Sequence, residues 1–408
     1  MDIRAIKHNS KIFDKNYVIL FAIFCIFLYP EVLTHTSFYR FLRLFQTVAT
    51  FFCVLFFIFN FINSKLLIGI NIFFLYYFIV TGISSNYLNT TLFFYTHTFP
   101  IIALSLYFVK INPRIFWKCI SDYYFIILLI NSLLTLLMPH GVLTIVGNHG
   151  TTKEIFLLGE QNQIIPVYLF GLFFSLIYFY LYKEQKMRIL ILFVITWLSS
   201  LYYGSVTSLI GLFFFTILTL VNYLYFAKRT ESMCIYCIVT NFKNYLIGFI
   251  GIIVLNISLV VFRVQRLLEP IFEMFNKDAT FSTRTQIWDE ALKFLYTSPI
   301  IGYGAFPQNR YLFINDNYFS PHNLFLQLFL MGGLILFSVF IYLMQLSISD
   351  LAKIKVPHTR NTISIFLMVF FLMSVVEIYG IPKLFFLLAM PMLISQTHEH
   401  PDFIKYKY

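Results

Sequence analysis

The residues with chemistry to offer gather between positions 263 and 323. Arg284 opens the stretch RTQIWDEALKFLY. At 100° per residue, Ile287, Trp288, Ala291, Leu292 and Leu295 fall on one stripe, with Gln286, Asp289, Glu290 and Lys293 opposite. Thr283 and Gln286 have capping-box spacing, so the pattern predicts an amphipathic helix on a membrane face or on a helix bundle. Arg284 lands near the centre of the apolar stripe, one turn before Trp288. A guanidinium there is costly unless it meets an anion or water, and a helix N-terminus adds N–H groups that favour anions. Two readings stand. One is a phosphate or pyrophosphate partner held by the planar fork. The other is an arginine that snorkels to lipid head groups or pairs with a nearby carboxylate.

The second candidate is His322, in Ser320-Pro321-His322-Asn323. Ser at N-cap and Pro at N1 would start a helix, placing His322 in its first turn. A neutral imidazole there could accept a proton from a sugar hydroxyl, and a hydrogen bond within a polar rim is the alternative. Glu160, Gln161 and Asn162 open an earlier helix, and Glu377 ends a later one. Ionisable groups at membrane depth are functional candidates, against the alternative of a structural hydrogen bond. Gly302-Tyr303-Gly304 after Pro299 reads as a turn, and Gly332-Gly333 as a point of close helix packing. The sequence has no P-loop, HExxH or GxSxG motif and no metal-ligand cluster. No cofactor or metal is expected, and the energy must come from the substrate or a gradient.

The elements that position these residues are membrane helices. Of the 408 residues, 59% are apolar and only 12% charged, about half the charge of a soluble domain. So few charges could not cover a water-soluble globule, which argues against a soluble enzyme or a nucleic-acid-binding protein. Twelve apolar runs are near spanning length, roughly 17–37, 44–62, 66–82, 94–110, 120–138, 164–182, 189–203, 206–226, 245–262, 322–346, 361–380 and 383–397. The expected fold is an all-α polytopic membrane bundle of about twelve helices, forming one domain over 1–408. With the N-terminus inside, nineteen of the 29 Lys and Arg fall in cytoplasmic segments and four in short outer loops. That bias fixes an N-in, C-in arrangement and accounts for the net charge of +11. Residues 263–321 then form one long outer loop, too aromatic for disorder. The five cysteines suggest no disulfide framework, and Cys234 with Cys237 is a lone CxxC.

Residues 282–333 resemble the O-antigen polymerase and ligase family of bacterial membrane proteins. Arg284, Trp288 and Ala291, then Pro299 with Gly302-Tyr303-Gly304, then His322-Asn323 and Gly332 carry the resemblance. Gly159-Glu160-Gln161-Asn162 is similar to the family's G-x-x-N segment. Many members have a Ser-Arg pair near the seventh and eighth helices, but here the region reads Gly204-Ser205-Val206-Thr207-Ser208. Arg263 and Arg266 are available to replace that charge.

The resemblance implies a multi-pass enzyme of the bacterial cytoplasmic (inner) membrane. It would polymerise polyprenyl-diphosphate-linked oligosaccharides, as donor and acceptor, on the outer face by inverting, metal-independent transfer. Arg284 and His322 would be catalytic. Arg263, Arg266, Trp288, Asn323, Glu160, Asn162 and Glu377 would bind substrate. Membrane lipids, a chain-length regulator and a flippase are the implied partners. The motifs look more like those of capsule and exopolysaccharide polymerases than of ligases that load a lipid A core. Two rivals remain. One is a repeat-unit flippase. The other is a metal-dependent transferase with an acidic residue, here Glu31, in its first outer loop.

Overall fold

The structure is a computed structural model. It describes residues 14–60, 64–84, 87–146, 152–228, 242–264, 284–306, 312–314, 317–401 and 403. Arg266, Thr283, Cys234 and Cys237 lie outside this set. Among the described residues there are thirteen α-helices. They are α1 (Lys15–Phe27), α2 (Phe38–Asn60), α3 (Lys65–Ser84), α4 (Leu88–Ile111), α5 (Pro113–Leu137), α6 (Gln161–Tyr182) and α7 (Lys186–Tyr203). There follow α8 (Val206–Lys228), α9 (Phe242–Val260), α10 (Arg284–Thr297), α11 (Leu324–Ala352), α12 (Pro357–Met373) and α13 (Ile381–Glu399). Two short antiparallel hairpins complete the fold, β1 (Leu143–Val146) with β2 (Thr152–Ile155) and β3 (Leu312–Ile314) with β4 (Asn317–Phe319).

The chain is an all-α, multi-pass membrane protein. Eight helices among the described residues are long and apolar enough to cross a bilayer, and two shorter ones are also apolar. Large side chains that a soluble protein would bury stand exposed on these helices, among them Phe51, Leu75, Leu136, Leu198 and Ile247. In lipid such faces need no cover. All twelve expected runs appear as helices, and α10 is the amphipathic thirteenth. Two ends differ. α1 stops at Phe27 because Pro30 lacks an N–H and its ring crowds the residues before it. α12 stops at Met373 rather than 380, because the carbonyls of Ser374 and Val375 are claimed by Leu324 N–H and the Asn323 amide.

The residues divide into two compact units. The first comprises residues 1–51, 101–205 and 396–408. Within it α6 is buried along nearly its whole length and packs on α5 and α7. A buried ion pair, Arg188 with Asp122, joins α7 to α5, and the Tyr17 hydroxyl of α1 donates to the same carboxylate at 2.8 Å. Paired and hydrogen-bonded in this way, the two charges are tolerable in apolar surroundings.

The second unit comprises residues 52–100 and 206–395. Here α11 packs on α3, α8 and α9 pack on α12, and α10 lies against α11. α11 is interrupted at Gly332 (φ −156°) and Gly333 (φ +60°). A break at membrane depth frees backbone groups that lipid cannot satisfy. The segment 299–304 fills that need. Leu330 and Met331 carbonyls accept from Tyr303 and Gly304 N–H groups at 2.8 and 3.0 Å. Leu334 and Ile335 N–H groups donate to Pro299 and Ile300 carbonyls at 2.9 and 3.3 Å. The two glycine motifs are therefore halves of one backbone graft. A Cβ on Gly302 would lie 2.5 Å from Gly333 N, and one on Gly333 would lie 2.2 Å from Ile300 O.

Candidate active site

α10 forms as its periodicity predicts. Ile287, Trp288 and Ala291 are buried, and Gln286, Asp289 and Lys293 are exposed. The Trp288 indole N–H donates to Pro321 O at 3.0 Å, which pins the helix to the segment before α11. Arg284, one turn earlier, is thereby held inward with a side chain only 18% exposed.

Its partner is Glu377, in the loop between α12 and α13. Arg284 Nη2 donates to Glu377 Oε2 at 2.9 Å, and His322 Nδ1 lies 3.0 Å from Oε1 of the same carboxylate. One buried carboxylate thus holds a guanidinium and an imidazole, from three stretches of chain. Burial alone would push the Glu377 carboxyl up. The His322 hydrogen bond and the charges of His322 and Arg284 outweigh it and hold the carboxyl below its usual range. As an acceptor-only anion, Glu377 accepts the hydrogen bond from Nδ1–H, so when His322 is neutral its lone pair is on Nε2. The His322 side chain is 34% exposed, so this face is accessible.

Asn323 sets the height of the imidazole. Its side-chain oxygen accepts from Leu326 N–H at 3.0 Å, making Asn323 the N-cap of α11, and its amide donates to Asn256 Oδ1 and Val375 O at 2.8 and 2.7 Å. This corrects the expectation that Ser320 caps the helix with His322 in the first turn. His322 precedes the cap with φ +45°. Arg263 is also left-handed, with φ +55°. Non-glycine residues in this region are uncommon and collect at functional sites.

Arg263 sits over the Trp288 ring, 5.7 Å from its centroid, and pairs with Asp289 and Thr285 O. Its Nη1 is buried without a partner. The second unit therefore brings together Arg263, Arg284, Trp288, His322, Asn323 and Glu377. Trp288 and Asn323, expected among the substrate-binding residues, are fully buried, with the indole N–H on Pro321 O and the amide on Asn256 Oδ1 and Val375 O. Glu160 and Asn162 belong to the first unit, where Glu160 pairs with Lys153 at 2.9 Å and precedes α6. Arg266 is outside the described residues. The bridging role of Glu377 and the nearby Tyr379 escaped the sequence reading, because no local spacing joins residues 284, 322 and 377. Among the described residues no group of His, Cys, Asp and Glu is placed to hold a metal ion.

In this multi-pass helical bundle an imidazole and a guanidinium thus share one carboxylate. Residues 165–341 match the family model described as O-antigen ligase, consistent with the O-antigen polymerase and ligase family. The matched segment is under half of the chain and includes Arg263, Arg284 and His322, while Glu377 lies beyond it. At the coarse level the match supports glycan ligation or polymerisation. No curated protein and no solved structure matches the chain.

Proposed function

We propose that this protein is a polymerase of surface polysaccharide. It would transfer a growing glycan from a polyprenyl diphosphate to a second lipid-linked repeat unit, at the outer face of the bacterial cytoplasmic membrane. The observation that carries the reading is the shared carboxylate: Arg284 and His322 both contact Glu377. An acceptor hydroxyl gives its proton to His322 Nε2 while its oxygen bonds to the anomeric carbon of the donor. The bond from that carbon to the diphosphate oxygen breaks with inversion, and the diphosphate leaves with the electron pair. Arg284 neutralises the charge that develops on the leaving group, and Arg263 Nη1 offers a second donor. Glu377 stabilises the imidazolium formed in the step.

The test is chain extension by the purified protein in liposomes offered lipid-linked repeats. Wild type should yield longer glycans, and Arg284→Ala or His322→Ala should lower the rate at least about 100-fold. Wild-type protein that only moves repeats across the bilayer would identify a flippase. Either variant at full activity would refute the site. The ligase reading is favoured by the description of the matched family model. Transfer onto a lipid A core, with no extension of lipid-linked repeats, would establish it.

A further inference from the structure

α9 buries Phe249, Ile252, Asn256 and Leu259 along one face, at helical spacing. Phe249 fixes that face to α12 through Phe371, with ring centroids 5.7 Å apart. Asn256 is the polar exception in an otherwise apolar stripe. It also lines a groove of about 260 Å³ between α9, α10 and α11, beside Ile257, Leu292, Leu295 and Leu326. Among the described residues that line this groove, Asn256 alone has a polar side chain. A buried amide in a spanning helix is costly unless it is bonded, and a leucine would fill the stripe without that cost.

The bond that Asn256 makes leads to the catalytic turn. Asn323 Oδ1 accepts from Leu326 N–H at 3.0 Å, so the donating end of its amide faces away from that N–H. The amide donates to Val375 O at 2.7 Å and to Asn256 Oδ1 at 2.8 Å. Residues 322–324 meet residues 374–377 at three points. Leu324 N–H donates to Ser374 O at 3.0 Å, the Asn323 amide to Val375 O, and His322 Nδ1 lies 3.0 Å from Glu377 Oε1. These three bonds join the same two segments. Asn256 brings in a further element, α9, at the residue next to the base. His322 itself has φ +45°, a conformation that persists only where the surroundings over-determine it.

We propose that Asn256 is a positioning residue for the transfer reaction. Its Oδ1 holds the Asn323 amide and, through it, keeps the left-handed His322 turn that sets the imidazole on Glu377. This role rests on His322 being the base, as proposed above, and gives a spanning helix a part in the site without contact with the reacting atoms. The alternative for a buried asparagine between membrane helices is adhesion alone. The two differ in what its removal costs: turnover in the first case, stability only in the second.

The experiment measures chain extension by the full-length protein in liposomes over a range of lipid-linked repeat concentrations, with thermal unfolding alongside. Asn256→Leu has a similar shape but no acceptor, which leaves a buried N–H of Asn323 unpaired. Its kcat should fall about 5- to 100-fold, with KM little changed. Asn256→Asp returns an oxygen at the same reach and should recover most of the lost kcat. An Asn256→Leu variant that is less stable but keeps the wild-type kcat would overturn the proposal in favour of adhesion. So would a loss confined to KM, no recovery in Asn256→Asp, or failure of Asn256→Leu to fold. His322→Ala at full activity would instead defeat the catalytic reading itself, whatever the Asn256 variants do.

Discussion

Replacing Glu377 with glutamine keeps the shape of the side chain and removes its charge, and the consequences depend on pH. An amide has one acceptor oxygen and an NH₂ group, so it can serve Arg284 or His322 but turns a donor toward the other. Losing a hydrogen bond to a charged group costs about 1.5–3 kcal/mol. The Glu377 carboxyl titrates below its usual range in the folded chain, so its contribution is fully present above the unfolded value of about 4.3. It is lost as pH falls through the lower folded value. The gap in unfolding temperature between wild type and Glu377→Gln should therefore hold steady from pH 7 to about 5 and narrow below about 4. A gap that persists unchanged to pH 3 would mean the carboxylate is not the stabilising species. Activity should fall in Glu377→Gln at every pH, because Nδ1 loses the anion that orients its proton. Arg284→Lys should not restore an Arg284→Ala loss, since an ammonium lacks the planar fork that can hold Glu377 and a phosphate together. Arg284 was legible as a misfit on an apolar stripe. Its carboxylate partner was not, because residues 93 apart meet only through the packing of α10, α11 and the loop after α12.

At the scale of elements, the glycines separate local from tertiary constraint. Gly204 has φ +63° and nothing within 4 Å of an added Cβ, so Gly204→Ala should cost only the left-handed penalty of about 1–2 kcal/mol. Gly333 has φ +60° and would drive a Cβ into Ile300 O. Gly333→Ala should cost markedly more and dislodge the 299–304 segment from α11. Gly251 lies in α9 with open space around it, and Gly251→Ala should stabilise by about 0.5–1 kcal/mol. Thermal unfolding of the three variants in one detergent ranks them, and a Gly333→Ala variant no worse than Gly204→Ala would remove the case for the graft. Sequence alone marks 302–304 as a turn and 332–333 as a packing site. It does not show that each supplies the backbone bonds the other lacks, since hydrogen-bond pairing between distant segments leaves no periodic trace. The amphipathic α10 was readable because its burial follows its own 3.6-residue pattern. The N-cap of α11 was misread because Asn323 and Ser320 are both good caps, and only Asn323 finds Asn256 and Val375 beside it.

For the whole molecule, the class of fold followed from charge scarcity and run lengths, which the bilayer imposes on any chain that crosses it. Orientation follows from a different force, the retention of Lys and Arg on the cytoplasmic side. Nineteen such residues against four in short outer loops predict that α10 and the segment bearing His322 lie outside, where the proposed reaction would take place. The consequence can be measured with cysteine variants in a chain whose five native cysteines are replaced by serine. Gln286 is exposed on the polar face of α10, and Lys355 is exposed between α11 and α12. An impermeant maleimide added to intact spheroplasts should label Gln286→Cys and spare Lys355→Cys, with both labelled after lysis. The reverse pattern would put the guanidinium and the imidazole on the cytoplasmic side. An outer-face polymerase would then be impossible, however well the site geometry suits the chemistry. Both positions belong to the same compact unit, so the comparison reports the orientation of the unit that holds the site.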